Sequence, residues 1–122
     1  MFFLQYFNKG MKKGMKKNDA SEKHISSVDI TVRHEPSAKR FAARLNDKIG
    51  YLSYEIAGPK SLDYAHVFVP PEHRRHGIAA KITKTALDYA QSNGFSVIPS
   101  CPYVALYIRN NPEYKTIVFG SA

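Results

Sequence analysis

Val69-Pro70-Pro71-Glu72-His73-Arg74-Arg75-His76-Gly77-Ile78-Ala79-Ala80 joins an apolar run that ends at Val69 to a run of helical period that begins at Ile78. The reading of this joint decides the fold. Pro70-Pro71 closes a strand, because proline has no amide to give to a ladder. Beyond Gly77, the residues Ile78, Ala79, Ile82, Ala86, Leu87, Tyr89 and Ala90 recur on one helical face as far as Asn93-Gly94, a stop signal. The first amides of a helix lack intrahelical acceptors and the dipole adds partial positive charge, so a strand-turn-helix joint readily holds an anion. Gly77 lets the backbone approach closely, small Ala79 and Ala80 leave room, and Arg74 and Arg75 add charge and donors. A solvated loop broken by a glycine is the plainer reading of the same residues.

Upstream of the joint, Val28, Ile30 and Val32 alternate with Asp29, Thr31 and Arg33, the period of a half-buried strand. After Pro36, Phe41, Ala43 and Leu45 face one way and Arg40, Ala42 and Arg44 the other. Past the turn residues Asn46-Asp47-Lys48, Leu52, Tyr54 and Ile56 alternate with Tyr51, Ser53 and Glu55 in a third strand from Ile49 to Ala57. Gly58-Pro59-Lys60-Ser61 breaks the chain before a fourth run from Leu62 to Val69. Alternation sets Tyr64, His66 and Phe68 on one side of that run and Ala65, Val67 and Val69 on the other, as expected of a central strand covered on both faces. Downstream of the helix, Phe95 to Pro99 forms a short strand, parallel to the fourth because a helix intervenes. A second helix is expected over Pro102 to Asn110, and a last strand over Lys115 to Phe119. The order β-β-β-β-α-β-α-β belongs to the α/β class, a mixed sheet with a parallel central pair flanked by helices.

The 122 residues give room for one domain. Lys and Arg total 18 against 10 Asp and Glu, a net charge of +8. Five of those lysines, Lys9, Lys12, Lys13, Lys16 and Lys17, fall in a stretch without acids, which leaves +3 for residues 19 to 122. That charge is mildly attractive to phosphates and too thin for a dedicated nucleic-acid surface. Residues 1–27 read as a basic, disordered tail and residues 28–122 as the domain. Met11 and Met15 offer alternative starts. The apolar opening Met1 to Phe7 is too short for a membrane span and its charges follow it, unlike those of a signal peptide. The single Cys101 excludes an internal disulfide and a cysteine-rich metal site, and fits a reducing cytoplasm.

Neither Gly-x-x-x-x-Gly-Lys-Ser/Thr nor Gly-x-Gly-x-x-Gly occurs, which leaves a phosphate ligand of another kind. Arg74-x-x-Gly77-x-Ala79, placed between a strand and the longest helix, resembles the acetyl-CoA loop of the GNAT superfamily of N-acetyltransferases. Pro99-Ser100-Cys101-Pro102-Tyr103-Val104, with Tyr107-Ile108 and Asn111-Pro112-Glu113-Tyr114, is similar to a branch of very small members that also carry a His on the fourth strand, here His66. The resemblance implies that Arg74, Arg75, His76, Gly77, Ile78, Ala79 and Ala80 hold the pyrophosphate of acetyl-CoA. It further implies that main-chain groups from Val67 to Val69 hold the pantetheine arm, with Ser100 among the coenzyme contacts. An acetyl group would pass to an amine, on a small molecule or a protein, without a metal.

The resemblance gives Tyr107 the task of protonating the departing thiolate, although a tyrosine on a short helix is otherwise a core residue. With Pro102 as first helical residue, Cys101 takes the N-cap, where the dipole favours a thiolate that accepts the acetyl group first. A small buried hydrophobe, with direct transfer from coenzyme to amine, is the other reading of that cysteine. His66 is a candidate base, since imidazole titrates near working pH, or else a structural histidine, with Asp63 in reserve. Ser100 stands where many members have an Asn, a departure that bears on acceptor binding. The competing functions are a coenzyme A binder without turnover and a small basic protein associated with nucleic acid.

Overall fold

The computed structural model describes residues 30–120, so the expectations for the tail, Val28 and Asp29 lie outside the described residues. Four antiparallel strands come first: β1 (Val32–Glu35), β2 (Arg40–Leu45), β3 (Lys48–Gly58) and β4 (Ser61–Phe68). Helix α1 (Ile78–Ser92) leads to β5 (Ser96–Ile98), which pairs parallel with β4, and α2 (Pro102–Asn110) follows. The sheet order is β1-β2-β3-β4-β5.

Two expectations shift at the ends. Among the described residues the first strand starts at Val32, so Ile30 and Thr31 stand outside it, although Ile30 is already buried. In place of a last strand, Pro112–Ile117 winds into a 3-10 turn and only Val118 reaches the sheet, in a single parallel bridge to Val97. Pro112 and the preceding Asn111 favour that tight turn, and Tyr114 holds it by donating its hydroxyl to Asp88 Oδ1 at 2.6 Å. Lys84 Nζ donates to Asp88 Oδ2 at 2.9 Å, so one helical turn of α1 anchors the C-terminal stretch.

Helix α1 packs across the sheet and touches every strand. Its face of Ile78, Ile82, Ala86, Leu87 and Ala90 is fully buried on Phe41, Leu45, Leu52 and Tyr64. Each large side chain so buried stabilises the fold by roughly 1.5–3 kcal/mol. The Tyr64 hydroxyl, deep in this core, donates to Ala86 O at 2.6 Å, which satisfies it and fixes helix against strand. The helix stops where Gly94 adopts φ 74° and Phe95 N–H donates to Ala90 O at 2.9 Å. Ile56, expected on the buried side of β3, is 66% exposed instead, because register shifts on both sides of it carry the hairpin end past the helix.

One irregularity decides what β4 presents. Tyr54 pairs with Tyr64 and the next residue back, Ser53, pairs with His66, so Ala65 is an extra, unpaired residue. This β-bulge changes the parity of the strand. Leu62, Tyr64, Val67 and Val69 share the core side: all four belong to or pack on the core cluster, and Tyr64 and Val67 pair with the buried Tyr54 and Leu52. Asp63, His66 and Phe68 take the other side, where Tyr51 lies 5.8 Å from Phe68 and 6.1 Å from His66 between ring centroids. Simple alternation, which set His66 with Tyr64 and opposite Asp63 and Val67, is therefore corrected. Coverage of both faces is corrected too, since Ala65 and His66 are exposed.

Candidate functional site

The bulge lies where β4 and β5 part. The two strands pair only from Ser61–Ser96 to Asp63–Ile98, and Cys101 N–H closes the seam by donating to Tyr64 O at 3.0 Å. Past Tyr64, that edge of β4 has no strand partner among the described residues. A cleft of about 300 Å³ occupies the gap, lined by His66, Val67, Phe68, Val69, Arg74, Ala79 and Tyr103.

The head of α1 forms one end of this cleft. Gly77 takes φ 79° and ψ 9° at the N-cap and supplies no capping side chain. The first helical bond runs from Lys81 N–H to Gly77 O, at 3.1 Å, and the amides of Gly77, Ile78 and Ala79 meet no main-chain acceptor among the described residues. These donors, together with the helix dipole, make the end of the cleft attractive to an anion. The loop before them is fixed at several points. Arg74 Nε donates to Val69 O at 2.7 Å and its guanidinium lies 5.8 Å from the Phe68 ring centroid. Pro71–His73 forms a 3-10 turn, Glu72 pairs with Lys48, and Arg75 is held at φ 67°, a left-handed conformation that a non-glycine residue adopts only when its surroundings enforce it. The hydrogen bond to Lys48 holds the Glu72 carboxyl below its ordinary range.

Five of the residues singled out in the sequence meet in the cleft: His66, Val67, Val69, Arg74 and Ala79. Arg75 is exposed beside it, while His76 and Ala80 are half-buried along the loop and first helical turn. Ile78 is 1% exposed, so its side chain serves the core and only its amide faces the joint. Ser100 is exposed and its N–H is given to Ile98 O. Cys101 sits at the N-cap of α2, buried and outside the cleft lining. Tyr107 also stays outside, its ring 6.2 Å from that of Tyr114. Asp63 is half-buried with Oδ1 lacking a hydrogen-bond partner.

Phe68 and Tyr103 complete the lining, and Tyr103 is assigned no role by the sequence. It lies on the first turn of α2, two residues past Cys101 and four before Tyr107, the spacing that puts it on Tyr107's side of the helix. Burial pushes its phenol up, and the neighbouring Tyr107 and Cys101 add to the shift. Burial also raises Tyr107. No group of three His, Cys, Asp or Glu residues suited to a metal occurs among the described residues.

The family model of GCN5-related N-acetyl-transferases matches residues 40–117, from the start of β2 to the 3-10 stretch. The chain belongs to this family. Among its relatives, Protein NATD1 of Xenopus tropicalis is 34% identical over 89 residues, 70% of this chain and 81% of that protein. Protein NATD1 of Homo sapiens is 34% identical over 86 residues, 68% of this chain and 75% of its own length. A GCN5-like putative N-acetyltransferase from Staphylococcus aureus, solved in solution, superposes with a TM-score of 0.58 at 19% identity, over 79% of this chain and 92% of that one. That likeness establishes the GNAT-like fold, with β4 and β5 as its parallel pair.

Proposed function

We propose that this GCN5-related chain moves the acetyl group of acetyl-CoA to a primary amine. The observation that carries the reading is the open edge of β4 beside the uncapped head of α1. The amides from Gly77 to Ala79 are suited to the pyrophosphate, with Arg74 and Arg75 adding positive charge beside it. Val67 to Val69 offer main-chain groups to the amides of the pantetheine arm, as an added strand would use them. This route leads the thioester toward His66 and Tyr103, at the bulged end of the cleft.

Transfer then follows from position and charge. The amine, once deprotonated, attacks the thioester carbonyl, and a donor fixed on the strand edge stabilises the negative oxygen that develops. His66 lines the cleft on the side away from the core and is the base we assign to the incoming ammonium. Cys101 has its amide committed to Tyr64 O and its side chain buried, which favours direct transfer over an acetyl-cysteine intermediate. The free thiol accords with a cytoplasmic setting, and no helix among the described residues is long and apolar enough to cross a membrane.

Titration calorimetry of acetyl-CoA against wild type and Gly77→Asp tests the site. The variant sets a carboxylate on the anion's position, and we expect at least tenfold weaker binding. Equal affinities remove the loop from the coenzyme site. A free-thiol release screen over small amines and peptide amines tests the reaction, and saturable binding without release on any of them leaves a coenzyme binder. Intact mass after incubation with acetyl-CoA checks the route: a single adduct that vanishes in Cys101→Ala would overturn direct transfer.

A further inference from the structure

We infer that Tyr103 is the acid that protonates coenzyme A as it leaves, the task that family resemblance gives to Tyr107. The inference rests on the acetyl-transfer reading above and concerns which phenol serves it. Tyr103 lines the cleft together with His66 and Val67, and Tyr107 does not. Four residues along a helix amount to a rise of about 6 Å, so Tyr107 stands a full turn farther from the open edge of β4. Its ring leans on Tyr114, which is tied to Asp88.

The first turn of α2 cannot drift from β4, because Cys101 N–H is bonded to Tyr64 O at the point where the strand edge opens. A side chain two residues later is thereby fixed at the mouth of the gap. Among the described residues the Tyr103 hydroxyl has no hydrogen-bond partner, so its proton is not committed to the fold. Tyr103 is 36% exposed at the cleft, and a phenol titrates well above neutral, so it holds its proton at working pH; partial burial, with Tyr107 and Cys101 nearby, raises it further. Family resemblance alone favours Tyr107, and residue type and helix side do not distinguish the two tyrosines. The bulge and the splay do, by setting the gap opposite the first turn of α2 rather than the second.

The amine nitrogen bonds to the carbonyl carbon, the carbon–sulfur bond breaks, and sulfur keeps its electron pair. The proton of the Tyr103 hydroxyl moves to that sulfur, giving the free thiol of coenzyme A. The phenolate regains a proton from solvent, and the proton on the new amide nitrogen leaves through His66 or water.

Tyr103→Phe and Tyr107→Phe, assayed by thiol release with the best amine of the panel, separate the two. We expect Tyr103→Phe to fold as wild type, to bind acetyl-CoA within twofold, and to lose about 100-fold in kcat, the scale of one general acid. Tyr107→Phe should stay within about threefold. In wild type kcat should fall at alkaline pH as the acid ionises, and in Tyr103→Phe this alkaline limb should vanish, which the loss of a mere wall would not produce. The inference is overturned alone if wild type turns over and Tyr103→Phe keeps its rate, loses it only through weaker coenzyme binding, or is outdone by Tyr107→Phe. If wild type releases no thiol with any amine, the transferase reading falls and this one with it.

Discussion

At Gly77 the backbone turns through φ 79° directly before the first residue of α1, where a Cβ would meet the left-handed penalty. Gly77→Ala should therefore cost about 1 kcal/mol in stability and weaken coenzyme binding as well; chemical denaturation and calorimetry read the two separately. Arg74 carries a different double duty, since its Nε holds Val69 O while its charge faces the cleft. Arg74→Lys keeps the charge but loses the fixed fork, and we expect a loss of about 1 kcal/mol with a several-fold weaker affinity. Gly77 and Arg74 were legible in the sequence because each stands at a set distance from a helix start. Tyr103 was not. Its neighbour Tyr107 shares its chemistry and its helix side, resemblance points to Tyr107, and only the position of the gap points to Tyr103.

At the scale of elements, the helices follow the sequence closely: Pro102 starts α2 and Asn93-Gly94 ends α1, as capping and periodicity require. The strands follow it less well. A bulge leaves no mark on the pattern of β4, because Ala65 is small and the residues around it are apolar or aromatic on both sides. Likewise, Lys115 to Phe119 has strand-like composition, yet the anchoring of Tyr114 on α1 winds the chain ahead of it. Deleting Ala65 tests what the bulge does. The deletion makes alternation regular and leaves Tyr64 and Val67 on the core side, so the variant should fold with a Tm near wild type. The straightened strand should close on β5 and lose acetyl-CoA binding; a variant that folds and binds as wild type would separate the bulge from the site.

Across the whole molecule, the fold class was readable from the order of elements, because one long helix between two apolar runs permits few topologies. The face that each strand residue takes was not, since it depends on pairing rather than on local pattern. The packed sheet also sets a shared response to alkali. Tyr54, Tyr64, Tyr103, Tyr107 and Tyr114 are all raised above the ordinary tyrosine range, with burial the leading cause in each. The folded state keeps these protons longer than the unfolded chain, so stability is complete below about pH 10 and falls as pH climbs beyond it. Far-ultraviolet dichroism with tyrosinate absorbance should show unfolding and ionisation together on the alkaline side. Burial lowers His34, which accepts or donates at 2.7 Å to the Tyr54 hydroxyl; its share of stability is held above about pH 6.5 and lost as pH drops.

The missing cap on α1 carries a consequence for the protein's lifetime. On the proposed reading acetyl-CoA completes the donors that the chain leaves without a main-chain acceptor, so ligand supply and resistance to proteolysis would become one variable. Acetyl-CoA at 100 times its Kd would add about 2.7 kcal/mol to the folded state. Digestion at graded ligand concentrations should slow in step, and a cell short of acetyl groups would then clear this chain faster than one well fed.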